Sequence, residues 1–547
     1  LKERREEQMN KFLLIFLLMF SLHAFSQDLD PTHIIIDKGK VIQLPEVNRN
    51  FENIPIEAPK PSPKNMEYNT EEIPLSLPRL TTKINVAPLK PPPLPELYGN
   101  YVKAGIGNYG TPYGEGFFSN RRSEKYSYGL HLKHFSSATG PVRFSGFSEN
   151  ELSGWFKHFG KTYEFYSRAG YFRNRYNFYG FSNEVPAKSD SIKHVMNTFN
   201  AMAGIKSFNL SSPVQYDLNF NYFNFSDNLK AKENEFLFSG SGSEKIDDER
   251  SVEANLMLSI SSRKDSVETK RTFFQIKPAF VMNKEKYRLK AGFNIAYTND
   301  TVNNSSIHIY PRVHVDVPLV ENILIGFAGI NGEMEKNTLR SFMQQNPYLE
   351  SDVPLLHSNK TIELYAGATG TFKGINYRAR LAYQNYKNLY FFNNSLTDSS
   401  RFTILYDVDL TSILRIDGDF SYDLTDRFRI GTAFSYFNYD VGLLDQAWHR
   451  PKFTYTLSGV YNIKKKIYIN TDIYYISGLA GKNFISDKVH NLDDIIDLNL
   501  RVDYRFTNSN FAAFLELNNI LSNKYQRYLY YPVKGINVIG GVAYSFK

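Results

Sequence analysis

In the stretch Ile496, Leu498, Leu500, Val502, Tyr504, Phe506, every second residue is apolar, and Asp497, Asn499, Arg501, Asp503 and Arg505 fill the gaps. Successive side chains of a strand point to opposite faces, so this segment has one greasy face and one charged face. The pattern recurs. Tyr287, Leu289, Ala291, Phe293, Ile295 and Tyr297 alternate with Lys286, Arg288, Lys290 and Asn294. Val252, Ala254, Leu256, Leu258 and Ile260 alternate with Glu253, Asn255, Ser259 and Ser261, and Ile467, Ile469, Thr471, Ile473 and Tyr475 with Asn470 and Asp472. A soluble sandwich alternates too, but here the polar face is dense in charge and the apolar face begins or ends in Tyr and Phe. That combination suits a closed barrel with hydrocarbon outside and water inside. A slip of one residue would aim Arg501 and Arg505 at lipid, at roughly 2–4 kcal/mol for an Arg near the midplane. The even positions of 496–506 are therefore expected to face outward.

Composition agrees with strands rather than helices as the spanning elements. The 547 residues have a mean hydropathy of -0.40, with 38 Tyr and 43 Phe against 2 Trp. After the N-terminus no apolar run reaches the ~18–20 residues that a spanning helix needs. The absence of cysteine excludes a disulfide framework and a lipidated cysteine on this chain. The net charge of +8 is spread out, with no basic tract pointing to nucleic acid.

Three regions are expected. Residues 1–26 read as an export signal: Met9-Asn10-Lys11, a short apolar core from Phe12 to Phe20, then Ala24 and Ser26 at the positions preceding a cut before Gln27. Leu1 to Gln8 read either as an overlong start or as a charged leader. Residues 27–97 contain 13 of the 24 prolines and read as an extended periplasmic segment. Within it His33 to Asp37 and Val41 to Leu44 are β-prone, either points in an unstructured arm or a strand offered to a partner. Residues 98–547 divide into about 22 strand candidates, 375–391 and 402–422 among them, giving an all-β fold: a transmembrane antiparallel β-barrel of about 22 strands. Counting back from a periplasmic C-terminus puts tight connections around Lys284, Gly374, Asp426, Lys465 and Ser509 on the periplasmic side and longer ones, such as 333–359 and 478–492, outside.

The C-terminal run from Phe514 to Lys547 resembles the last two strands of TonB-dependent receptors. The resemblance is carried by Asn518, Asn519, Ile520, Leu521, then Tyr525, the Tyr531-Pro532 step, and a strand ending in Phe546. It covers roughly residues 98–547 and implies the 22-stranded barrel of that family. It also implies a folded plug ahead of the barrel, and here that position holds only some 70 Pro-rich residues, with Ile34-Ile35-Ile36 a distant echo of a TonB-contacting box. The chain therefore resembles a plug-less variant, in which TonB coupling is not expected.

No catalytic, cofactor-binding or metal-binding residue is expected. His131 and His134, three apart on a strand, point to opposite faces and make no metal pair. His308 and His314 share a face but lie about 20 Å apart at ~3.3 Å per residue. Asp493-Asp494 reads as solvated loop charge before a divalent cation site, and Gly240-Ser241-Gly242 as a turn, since no helix follows it to hold a phosphate. Tyr171-Phe172, Tyr176-Phe178-Tyr179 and Tyr528-Tyr530-Tyr531 read as a membrane-interface girdle rather than as sugar-stacking platforms. Loop 333–359 is the longest; its Thr338 to Gln345 is expected to form a helical turn and fold over or into the mouth, with Pro347 and Pro354 ending regular structure. A bore of 22 strands is normally filled, here by inward-folding loops such as 333–359, by the arm 28–97 or by a partner protein; loops together with the dense lumenal Lys, Arg, Asp and Tyr are expected to fill it, with the arm left in the periplasm. The functions that follow are a transporter-like outer-membrane barrel for an unidentified solute or, alternatively, a structural or accessory subunit of an envelope assembly. No enzymatic activity is expected. The expected partners are outer-membrane lipid and envelope proteins reached by the Pro-rich segment.

Overall fold

The computed structural model describes residues 99–546 apart from 139, 182–190, 209–211, 300–304, 322 and 426. The proposed signal and Pro-rich segments lie outside the described residues. From Asn100 to Phe546 the chain forms one 22-stranded antiparallel sheet. The sheet closes on itself: Asn100–Gly107 pairs with Asn537–Phe546 through rungs such as Val102 with Tyr544 and Gly105 with Gly541. Closure leaves no sheet edge unpaired, which a strand-built membrane span requires.

The faces follow the alternation. Val102, Leu130, Leu152, Phe199, Phe220, Phe236, Ile260, Phe293, Ile309, Leu381, Leu414 and Leu515 all point outward and are exposed. This belt, with Tyr128, Tyr171 and Tyr544 in it, is the lipid-facing surface of an outer-membrane barrel. In the strand Ile495–Arg505, Leu500 pairs with Thr471 and Leu517 on the outer face, while Arg501 and Asp503 bond each other inside at 2.8 Å.

One set of connections is short. Phe372 and Ile375 are joined by Lys373 and Gly374, both at positive φ, the two-residue turn whose twist matches the flanking strands. The opposite set carries loops 336–357, 388–410, 441–452, 478–494 and 519–536, which places that end outside the cell.

Two anticipated strands, 375–391 and 402–422, are broken. The barrel strand Ile375–Lys387 ends where Asn388 turns to φ 56°, and Leu389–Asn394 then pairs with Phe402–Asp407 in a separate hairpin before Thr411–Thr425 resumes the wall. Asn tolerates the left-handed conformation that redirects the chain, and the run it releases, with Phe391, Phe402 and Ile404, is buried under other loops rather than against lipid. Gly240-Ser241-Gly242 is likewise no turn. It lies inside the strand Lys232–Lys245, where Ser241 pairs with Asp217 and Asn255.

Candidate functional site

The lumen wall is built of paired charges. His131 sits between Glu115 and Glu151 at 3.1 and 3.2 Å, and Arg168 approaches Glu151 at 3.9 Å. Glu164 holds Lys157 and Lys206 at 3.2 and 3.4 Å. On the other side Glu333 takes Lys277 at 2.7 Å and Lys360 at 3.0 Å; the chain of pairs runs on through Glu363 and Arg380 to Asp417 and Arg415. Each comes from the inward face of the wall, where groups of opposite sign meet.

Above this wall the external loops make a lid. They leave strands late in the chain, yet they reach strands early in it, so they span the mouth. The core combines Leu339, Phe342, Met343, Leu349, Val353 and Leu355 from loop 336–357 with Phe392, Phe402 and Ile404, with Leu529 and Tyr531, and with wall residues Met196 and Phe225. A second cluster gathers Leu389, Phe391, Ile413, Trp448 and Ala480. The expected helical turn is present as Leu339–Gln345. Thr338 caps it and exchanges hydrogen bonds with Ser341, a reciprocal capping box.

The lid is fastened by groups that sequence patterning left unnoticed. Buried Arg263 donates to the carbonyls of Val353 and Ser351 at 2.5 and 2.7 Å and pairs with Asp265. Arg271 donates to the carbonyl of Asn337 at 2.8 Å and reaches the His357 ring. Glu233 accepts the amides of Leu339 and Arg340, both at 3.0 Å, and Glu235 takes Lys336. His194 and Asp227, both fully buried, bond each other at 3.2 Å and hold the Pro347 carbonyl and Ser351 hydroxyl, each at 2.8 Å. The available signal was position: charges at the outer ends of strands 193–207 to 268–284 have no water-filled lumen above them if a loop covers it.

Among the loops themselves, His449 accepts from the Leu529 amide through Nε2 at 3.2 Å and bonds the Phe392 carbonyl through Nδ1 at 2.8 Å. Complete burial pushes its pKa down to about 3, so the ring is neutral. Burial also drives His357 well below its ordinary value, with Arg271 adding to the effect. Tyr528 donates to the Gln345 carbonyl at 2.6 Å, and the Tyr348 and Tyr531 rings stack 3.7 Å apart.

These contacts correct the girdle reading. Tyr171 does face lipid, but Phe172 and Tyr176 point into the lumen from the ladder, and Phe178, Tyr179, Tyr528, Tyr530 and Tyr531 belong to the lid or its rim, where the chain has left the barrel wall and turned inward. The other flagged residues fall as follows. His131 faces the lumen and His134 the outside, where it bonds Asn150 at 2.7 Å. His308 and His314 share the lumenal face; His314 bonds Tyr365 and Asp316 at 2.8 and 3.0 Å. Asp494 accepts from Tyr475 at 2.9 Å, and Asp493 is solvated. Among the described residues no group of three or more His, Asp or Glu is placed to hold a metal ion.

No family model matches the chain, and no curated protein does either. Solved structures do. The FrpB iron transporter of Neisseria meningitidis aligns with a TM-score of 0.64 at 10% identity over 83% of this chain and 82% of that one. The siderophore receptor PiuA of Acinetobacter baumannii gives 0.61 at 10% over 82% of each chain. The outer-membrane ferripyoverdine receptor of Pseudomonas aeruginosa gives 0.63 at 11% over 82% of this chain and 71% of that one. At such identity the likeness speaks of fold alone: the chain is a closed 22-stranded outer-membrane β-barrel, similar to the barrels of these receptors.

Proposed function

We propose that the chain is a transporter-like outer-membrane barrel in which the external mouth is covered by the chain's own loops, with no need for a separate plug domain or for TonB. One observation carries this reading: a polar, ion-paired lumen lies beneath a lid made of loops that cross the mouth and are fastened to the wall. The pairs line a water-filled path with largely compensated charge, and a lid made of loops is an element that moves without unfolding strands. The transport role of the structural neighbours supports the same reading. The protein has no enzymatic role in it. The test is passage of small sugars into proteoliposomes by the parent protein and by a variant carrying Arg263→Ala and Arg271→Ala. Faster passage through the variant is expected; equal, negligible passage through both would remove the conduit reading.

The second reading, an accessory subunit of an envelope assembly, is favoured by the strength of the fastening. Buried ionisable groups at six wall positions, His194, Asp227, Glu233, Glu235, Arg263 and Arg271, are more than a frequently opened gate needs. It predicts a stoichiometric partner on purification from native membranes, held by residues 27–97.

A further inference from the structure

Between the helix Leu339–Gln345 and the lumenal wall lies a partly enclosed crevice of about 270 Å³. Three neighbouring strands, Tyr163–Asn177, Lys193–Ser207 and Val214–Asp227, supply its wall, with Phe172 opposite Thr198 and Asn200 opposite Phe223 in the ladder. The lid contributes Arg340 and Gln344. Two properties set this crevice apart from ordinary packing. Asn200 lines it, and its Oδ1 is buried without a hydrogen-bond partner among the described residues, while the side chains of Asn174, Thr198 and Gln344 line it without a protein partner there and remain open to solvent. The Arg340 guanidinium lies 3.9 Å above the Phe223 ring and reaches Glu235 only at 3.3 Å.

Glu235 does not depend on that contact. It already takes Lys336 and the Ser259 hydroxyl, the latter at 2.7 Å. A guanidinium has five N–H donors, so Arg340 keeps donors for a second carboxylate and presents them in the fork that suits one. The phenyl face of Phe172 takes the apolar face of a ring, since Arg340 already covers Phe223. The amides and hydroxyl take ring hydroxyls. A plain aromatic acid would use Arg340 and the Phe172 ring but leave the buried Asn200 oxygen without a donor, and a site of that kind discriminates against a ligand without the matching group. The volume sits just under the usual range of about 300–1,000 Å³ for small-molecule pockets, enough for one ring.

We propose that this crevice binds a small hydroxylated ring bearing a carboxylate, that is, an acidic monosaccharide of the hexuronate class. The assignment rests on the reading that solute enters the lumen, and it places the solute against the lid helix, so that an occupant touches the wall and the lid together. The test uses the full chain in lipid nanodiscs, with glucuronate, glucose and benzoate as probes in calorimetric titrations. Glucuronate is expected to bind saturably, and glucose and benzoate at least about tenfold more weakly, the loss expected for one charge-assisted contact or one set of hydroxyl contacts. Arg340→Gln and Asn174→Leu are each expected to weaken glucuronate about tenfold. Asn174 lies on the wall and makes no side-chain hydrogen bond to the lid, so its substitution reports on the site even if Arg340→Gln shifts the helix. No saturable glucuronate binding, equal binding of benzoate, or unchanged affinity in Asn174→Leu would overturn the assignment. Uptake of glucuronate by proteoliposomes is measured alongside. Binding without uptake keeps the site and removes the conduit reading; uptake without saturable binding keeps the conduit and removes the site.

Discussion

Replacing Arg263 and Arg271 by Ala strips the lid of its hold on the strands Arg250–Lys264 and Glu268–Lys284. Arg263 gives two hydrogen bonds to lid carbonyls, at 2.5 and 2.7 Å, and Arg271 gives one at 2.8 Å besides its contact with His357. Hydrogen bonds from a charged donor contribute about 1.5–3 kcal/mol each. The substitution also leaves Asp265 without its ion-pair partner in a nearly buried position, a kind of change that costs about 3–5 kcal/mol when the group is fully buried. Asp265's cost is largely relieved because an opened lid admits water, so the three hydrogen bonds at the lower end of their range set a net loss of about 4.5 kcal/mol in lid closure. At 1.4 kcal/mol per tenfold, the open fraction rises by about three orders of magnitude. The barrel ladder is untouched, so the protein still folds. Hydrogen exchange in nanodiscs reads this directly. Amides of 336–357 are expected to exchange about a thousandfold faster, with those of the wall strand Thr411–Thr425 unchanged. Unaltered protection of 336–357 would show that the apolar core holds the lid without the arginines, and that these clamps are incidental.

Further outcomes follow from the same structure. The protein is expected in the outer membrane with a different gel mobility when boiled, since a closed ladder resists detergent; recovery as a soluble protein would contradict the fold. Leu500→Arg places charge in hydrocarbon and is expected to impair insertion, whereas Asn499→Arg points into the lumen and is tolerated; equal insertion in a reconstitution assay would show the face assignment wrong. The lid is expected to loosen in acid. His449 titrates near 3 when buried but near 6.5 when freed, so its contribution is complete above about pH 6.5 and is lost as pH falls towards 3. By pH 4.5 that loss reaches about 2–3 kcal/mol, and His357, also depressed by burial, acts in the same direction. Limited proteolysis of the loops at pH 7.5 and 4.5 measures it, and a His449→Gln variant is expected to show a smaller pH dependence.

The barrel was legible because lipid and water enforce a two-residue period on every spanning strand, and charge marks the inner face. Strands such as Ile495–Arg505 could be oriented from sequence alone for that reason. The lid was legible only where local chemistry speaks: Thr338 with Ser341 marks a helix start, and the helix is there. Elsewhere the period misleads. The run from Ile375 to Phe391 reads as one strand because nothing in the alternation marks the left-handed turn at Asn388. Tyr528 and Tyr531 look like interface tyrosines because an aromatic ring suits a membrane surface as well as it suits a packed loop. The clamps at Arg263, Arg271, Glu233 and Glu235 resemble every other lumenal charge along a strand. What singles them out is the loop folded onto them, a contact between strands and a loop up to about a hundred residues later in the chain.

The central claim, that the barrel is covered by its own loops, is tested most directly by planar-bilayer conductance of the chain with residues 28–97 deleted. The account predicts that the small conductance of the full chain stays unchanged after the deletion, because the loops 336–357, 388–410, 441–452, 478–494 and 519–536 lie over the mouth. Large, open-pore currents appearing only after the deletion would contradict it and would identify the Pro-rich segment as the plug.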